Sequence, residues 1–362
     1  MTDAEKWIGR DVNELPTPAL LVDADALEAN LSEMAGFFAD RRCKLRPHFK
    51  SHKCVTLARR QLAAGGAVGI TCAKLAEAEA LVAGGVSDVL IANQVVGPAK
   101  AARLAALNRQ ALVRCAVDDP GNVEDLARAA RAAGVTVGVL VEVDIGMRRC
   151  GVPPGEPAMD LARKVAAAAG LRFDGFQGYE GHVITLPDPA ERAARVAEAF
   201  APLIKTRRAL ESAGMPVAIV SGGGTGTYDI TCEIDGVDEI QAGSYALMDG
   251  YYRTIRPEFQ VARVVLATII SARPHRAIVD VGVKGLGCEF GPPTVAGNDA
   301  AKVRSGAEEH TAIDGVDARV GEKVRLIPSH GCTTNNLYRR MWIARDDRIE
   351  ACWPIEAAGA ME

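Results

Sequence analysis

Aromatic residues are scarce in this 362-residue chain, at 5% of the total. Any large core must therefore be built from Ala, Val, Leu and Ile. Paired cysteines are also missing. Nine are present, an odd number, and no two are spaced Cys-x-x-Cys. That argues against a disulfide framework or a four-cysteine zinc site, and for reduced thiols. Basic charge is not in excess: the formal net charge is −4. The chain thus lacks the electrostatic footprint of a nucleic-acid partner and the basic stripe that anionic lipid requires. The most apolar stretch, 261–270, contains Arg263 and is too short to span a bilayer. Met1-Thr2-Asp3-Ala4-Glu5-Lys6 lacks the basic-then-apolar order of a signal peptide. These absences set the expectation of a cytoplasmic protein with no nucleic-acid and no membrane partner.

What is present reads as globular. Hydrophobic content is 48% and charged content 24%, which argues against disorder. The length suggests about two domains. Short apolar runs alternate with Ala-rich helical patterns through the first two-thirds. The runs are 45–48, 68–72, 89–92, 112–117, 137–143, 176–179, 217–220 and 239–242. Several helical patterns stop at glycine, including Gly84, Gly134 and Gly214. Strands alternating with helices imply parallel βα units. Eight of them predict an α/β fold of the (β/α)8 TIM-like barrel type. An open doubly wound sheet is the alternative, but no GxGxxG turn follows the first strand. After Gly250 the pattern changes to strands with turns between them. The expected organisation is an N-terminal segment 1–23, whose strand at 19–22 joins the later domain, a barrel over 24–250, and a mostly-β domain over 251–362.

Three motifs could carry chemistry. Arg46-Pro47-His48-Phe49-Lys50 puts Lys50 at the C-terminal end of the first barrel strand, the face where barrel enzymes place their catalysts. A lysine there can form a Schiff base with an aldehyde. Ser221-Gly222-Gly223-Gly224-Thr225-Gly226-Thr227 follows the seventh strand, and Gly243-Ser244-Tyr245 follows the eighth. Loops after strands seven and eight form the usual phosphate site of barrels, and glycines let backbone N–H groups approach phosphate oxygens. A reactive lysine and a phosphate site in one barrel mouth point to pyridoxal phosphate. The third motif is Ser329-His330-Gly331-Cys332. Read as extended chain, it points His330 and Cys332 to one side, and imidazole with thiolate suits zinc. Further polar residues sit at strand ends: Asn93 and Gln94, Glu142 to Gly151, and Gln177 to His182. Tyr and His are acid–base candidates there.

Taken in order, Arg-Pro-His-x-Lys, Val-Glu-Val-Asp…Arg-Cys-Gly, Ser-Gly-Gly-Gly-Thr-Gly, Ala-Gly-Ser-Tyr and a C-terminal His-x-Cys resemble the D-threonine aldolase / D-serine dehydratase-like enzymes. These are fold-type III, alanine-racemase-like pyridoxal phosphate enzymes, and the resemblance runs from Thr17 to Ile355. It implies a homodimer with pyridoxal 5'-phosphate bound to Lys50. It implies that Thr225, Gly243 and Ser244 bind phosphate, with Gly223 and Gly224. Arg149 and Tyr179 contact the ring region, and Gln94 and Tyr245 complete the cofactor site. His330 and Cys332 hold a divalent metal (Zn, Mn or Mg), which in the family meets the substrate's β-hydroxyl. Aldolases of this group more often carry His-x-Asp, whereas His-x-Cys is more like the dehydratases. The aldolase histidine six residues beyond the active-site tyrosine is replaced here by Thr185; His182 lies three beyond.

The resemblance implies a lyase acting on a small D-configured β-hydroxy-α-amino acid. Aldolase cleavage gives glycine and an aldehyde, with His182 a candidate base. The alternative, a D-serine or D-3-hydroxyaspartate dehydratase, gives a 2-oxo acid and ammonia. A racemase of the same fold needs no metal, so His330-x-Cys332 counts against it. A non-catalytic cofactor carrier needs no β domain. A metal-only hydrolase leaves Lys50 and the glycine loops without a role.

Overall fold

Parallel pairing dominates one part of the chain and antiparallel pairing the other. The computed structural model describes residues 4–304 and 306–362. Residues 1–3 of the expected N-terminal segment lie outside the described residues. The chain divides into two units. One comprises Ala35–Lys50, Ala58–Gly243 and Ala360–Glu362; the other comprises Met1–Met34, Ser51–Leu57 and Ser244–Gly359.

The first unit is a (β/α)8 barrel. The chain's first strand, β1 (Ala19–Asp23), lies outside it. Its strands are β2 (Lys44–Leu45), β3 (Ile70–Cys72), β4 (Asp88–Gln94), β5 (Leu112–Val117), β6 (Val137–Glu142), β7 (Leu171–Gln177), β8 (Ile219–Gly222) and β9 (Glu239–Ile240). They form an eight-stranded sheet in the order β2-β9-β8-β7-β6-β5-β4-β3. Parallel bridges Leu45–Ala67 and His48–Thr71 close the ring. Buried aliphatic side chains such as Val113, Val139, Val141 and Val220 fill the strands, as expected for a sheet covered by helices. The helix starts are written locally. Asp119 and Asp188 cap Pro120–Ala133 and Pro189–Ser212 by accepting from Asn122 N and Glu191 N, with proline in the first turn of each.

One barrel strand begins earlier than its apolar run suggests. β7 starts at Leu171, not 176, and takes in Arg172 and Asp174. Val139 pairs with Phe173 and Leu140 with Gly175, so Asp174 is an extra residue in the strand. Such a bulge re-aims a side chain, and Asp174 bonds Arg114 and Arg172.

The second unit is mostly antiparallel. β1 pairs antiparallel with β10 (Arg263–Arg273) and parallel with β16 (Arg340–Arg345). Val12, Leu15, Leu21, Leu266, Trp342 and Ile349 share one apolar cluster. The final strand, β17 (Arg348–Pro354), pairs with β16 across a two-residue turn. Asp346 and Asp347 there have φ of 48° and 60°, the type I′ hairpin geometry. Among the described residues no helix is long and apolar enough to cross a membrane.

Candidate active site

The C-terminal ends of the barrel strands bring several of the expected residues together. Lys50 follows β2 in a short 3-10 turn, Phe49–Ser51. Its Nζ lies 6.0 Å from the centre of the Tyr179 ring, which follows β7. The Arg149 guanidinium, on the loop after β6, lies 5.4 Å from the same ring. The glycine loop after β8 approaches from another direction: a Cβ placed on Gly224 would lie 3.7 Å from Tyr179 Cε2 and 3.8 Å from its hydroxyl. An ammonium, a guanidinium, a phenol and a glycine-rich loop therefore share one neighbourhood. Thr225 in that loop is buried. Arg46, although close to Lys50 in sequence, is not part of this group. It is 2% exposed and forms ion pairs with Glu239 and Asp88.

Two carboxylates from the strand-end clusters, to which the sequence gives no role, organise this end. Glu180 is fully buried and accepts from Gly223 N at 3.1 Å, Thr227 Oγ1 at 2.6 Å and Thr231 Oγ1 at 2.8 Å. It fastens the glycine loop to the strand that carries Tyr179. Burial pushes its pKa up, against the pull of those hydrogen bonds. Glu142 Oε2 accepts from Gln94 Nε2 at 2.9 Å and Gln177 Nε2 at 3.3 Å. Gln241 Nε2 continues the net to Gln177 Oε1 and Ser221 Oγ. Burial raises the Glu142 pKa too, with Arg149 and Gln94 opposing. Gln94 thus reaches Glu142. His182 is exposed in the turn beyond Tyr179, and its ring lies 3.0 Å from where a Cβ on Gly146 would stand.

The remaining expected residues belong to the second unit, apart from Gly243, which ends the barrel segment. Ser244 and Tyr245 lie in the 3-10 turn Ser244–Ala246. The Tyr245 ring is buried, 5.8 Å from the Phe259 ring. The His-x-Cys segment is not extended, which corrects the geometry read from its spacing. His330 is extended (φ −134°, ψ 122°), but Gly331–Asn336 is a short helix. One tertiary and one local side-chain bond offset the poor helix propensity of Gly, Thr and Asn. Gly331 N donates to Asp249 Oδ2 at 2.9 Å, and Thr334 Oγ1 to the His330 carbonyl at 2.8 Å. The two side chains still meet, since Cys332 hydrogen-bonds the His330 ring. Burial opposes protonation of His330. Cys332, Glu289 and Asp249 outweigh it and raise the pKa to about 9. Among the described residues, no group of three or more His, Cys, Asp or Glu side chains is arranged to hold an ion.

Comparison with known proteins gives the family. Residues 22–249 match the alanine racemase N-terminal domain, and residues 262–344 a putative serine dehydratase domain. The 3-hydroxy-D-aspartate aldolase of Paracoccus denitrificans (strain Pd 1222) is 37% identical over 97% of this chain and 94% of its own. A D-threonine aldolase of Arthrobacter sp. is 37% identical over 97% and 95%. The crystal structure of D-threonine aldolase from Filomicrobium marinum matches with a TM-score of 0.95 at 39% identity, covering 98% of each chain. The chain belongs to the alanine-racemase-like family. The aldolases named above are lyases of that family, and membership implies pyridoxal 5'-phosphate as cofactor.

The residues of this family member fit that cofactor. An anionic aromatic aldehyde needs an amine, cationic and phenolic neighbours, and backbone donors for its phosphate. Lys50, Arg149 and Tyr179 supply the amine, the cation and the phenol round one ring, and Gly224 lets the loop after β8 come close to it; the N–H groups of Gly223 and Gly224 themselves bond Glu180 and Thr227. His330 and Cys332, an imidazole and a thiol within hydrogen-bonding reach of each other, are two donors of the type a divalent ion takes, and no third such side chain is arranged with them among the described residues.

Proposed function

We propose that this protein is a pyridoxal-phosphate- and divalent-metal-dependent aldolase that cleaves D-configured β-hydroxy-α-amino acids to glycine and an aldehyde. The observation that carries the reading is the grouping of Lys50, Arg149 and the glycine loop around Tyr179 at the barrel's C-terminal end. Bound there, the cofactor supplies an aldehyde for amines and an electron sink for the carbon bearing the amine. A divalent ion at His330 and Cys332 supplies a Lewis acid. Lys50 would hold the cofactor through its ε-amine. Gly223, Gly224, Thr225, Gly243 and Ser244 hold the phosphate, and Gln94 and Tyr245 complete the cofactor site. Tyr179 and Arg149 orient the ring. His182, exposed beyond Tyr179, is the base that takes the β-hydroxyl proton. The expected 24–250 barrel narrows to the segments Ala35–Lys50 and Ala58–Gly243, which carry most of the cofactor site, and the metal ligands lie in the segment Ser244–Gly359. The protein works in the cytoplasm as a homodimer.

The second reading is a dehydratase giving a 2-oxo acid and ammonia. The serine dehydratase match over 262–344 and the His330-x-Cys332 pair favour it. Here Lys50 takes the α-proton instead, and the β-hydroxyl leaves.

The test is chemical. Borohydride reduction of the loaded enzyme, digestion and peptide mapping should place the cofactor on Lys50, and Lys50→Ala should lose the visible cofactor band while remaining folded. A label on Lys53 or Lys74 contradicts the assignment.

A further inference from the structure

We propose that Glu289 is the positioning residue of the metal site: its carboxylate holds the His330 ring by Nδ1, which leaves Nε2 as the nitrogen that would bind the ion. The inference rests on the metal reading given above and deepens it. His330 Nδ1 lies 2.5 Å from Glu289 Oε1. The same oxygen accepts from Thr333 Oγ1 at 2.5 Å. Thr333 stands in the helix that carries Cys332. One carboxylate therefore ties the histidine to the element bearing the thiol.

The neighbours keep that carboxylate in place. A Cβ on Gly287 would lie 2.2 Å from Thr333 Oγ1, 2.9 Å from the His330 carbonyl oxygen and 3.1 Å from Glu289 Oε2. Only glycine leaves room for all three. Ser329 Oγ donates to the Gly287 carbonyl at 3.1 Å, and Gly287 N to Thr334 Oγ1 at 3.0 Å, which pins segment 287–289 to the His-x-Cys turn. The Phe290 ring lies 4.5 Å from the His330 ring at an interplanar angle of 32°. The imidazole is thus held in its plane by Phe290 and in its rotation by Glu289. A carboxylate behind a metal-binding histidine fixes the tautomer and strengthens the nitrogen as a donor, and losing it costs roughly 10–100-fold in metal affinity. Glu289 is exposed, so its replacement leaves no buried cavity.

Cobalt(II) titration of the full-length, cofactor-loaded and metal-stripped enzyme tests this. The wild type should show a thiolate-to-cobalt band, which Cys332→Ala removes. Glu289→Gln should keep that band and the visible ligand-field pattern but bind cobalt about 10–100-fold more weakly. Thr333→Ala should weaken binding less, and Glu289→Asp should fall between wild type and Glu289→Gln. Thermal unfolding and the cofactor band should not move. Unchanged cobalt affinity in Glu289→Gln overturns the positioning role and leaves the metal reading standing. A changed ligand-field pattern overturns it too, because Glu289 is then a ligand. Absence of the thiolate band in the wild type contradicts the metal reading itself, and the role of Glu289 with it.

Discussion

The two ends of the barrel solve the same problem in opposite ways. Both place polar side chains inside a ring of parallel strands. At the N-terminal end the solution is ionic. Arg46 bonds Glu239 through Nε and Nη2 at 2.8 and 2.7 Å, and Asp88 through Nη1 at 2.6 Å. Arg114 links Asp88 to Asp174 at 2.7 Å each, and Arg172 closes on Asp174. Gly138 leaves the space: a Cβ there would lie 2.4 Å from Asp174 Oδ2. Arginines and carboxylates are matched, so this layer satisfies itself and closes the barrel. At the C-terminal end the net of Gln94, Glu142, Gln177, Gln241 and Ser221 contains one carboxylate among neutral groups. Lys50, Arg149 and Tyr179 gather at that end. Charge that is spent on structure at one end is available for ligands at the other, as barrel enzymes generally arrange it.

That contrast breaks most severely at Arg46. Arg46→Met leaves Glu239 and part of Asp88 as buried charge without its partner, and should cost about 3–5 kcal/mol of stability. Cofactor affinity of the folded fraction should hold. Urea unfolding and cofactor titration measure the two separately, and a loss of affinity without loss of stability would erase the distinction between the ends.

The converse substitutions lie in the phosphate loops. Thr225→Ala and Ser244→Ala should each weaken cofactor binding by about 1.5–3 kcal/mol, the worth of a hydrogen bond to a charged group. Equilibrium dialysis with pyridoxal phosphate checks this, and unchanged binding in both places the phosphate elsewhere.

The smallest effect concerns Glu142. Burial, the main cause, raises its pKa in the folded protein above the ordinary 4.5. The folded state thus holds that proton more tightly than the unfolded chain. The stabilisation is complete below the ordinary value and is lost as pH rises through the raised one. Glu142→Gln lacks this titration, so its stability relative to wild type should improve from pH 4.5 towards neutrality. Parallel stability curves over that window would show that Glu142 titrates normally.

Much of the barrel was legible because its strands are buried on both faces. The run 112–117 coincides with β5, and the pattern 98–107 with the helix Pro98–Leu107. The first half of β7 was not legible, because Arg172 and Asp174 look like surface residues until Arg114, 60 positions from Asp174, is placed beside them. β17 was hidden likewise, since Arg348 and Glu350 interrupt its apolar pattern and its partner β16 supplies the pairing. Within the site, Lys50, Tyr179 and the glycine loop could be read from strand-end position. Glu180 and Glu289 could not, because their partners lie 43 and 41 residues away and no local spacing records them. The conformation of His330-x-Cys332 was misread for the same reason. Asp249, 82 residues from Gly331, holds the turn that the spacing alone leaves extended.

The central claim is that the groups gathered round Tyr179 break a carbon–carbon bond. The direct measurement is product identity from D-threonine with pyridoxal phosphate and a divalent metal supplied. Aldolase cleavage gives glycine and acetaldehyde in equal amounts, with no activity in Lys50→Ala. Formation of 2-oxobutanoate and ammonia in place of glycine would contradict it and establish the dehydratase reading.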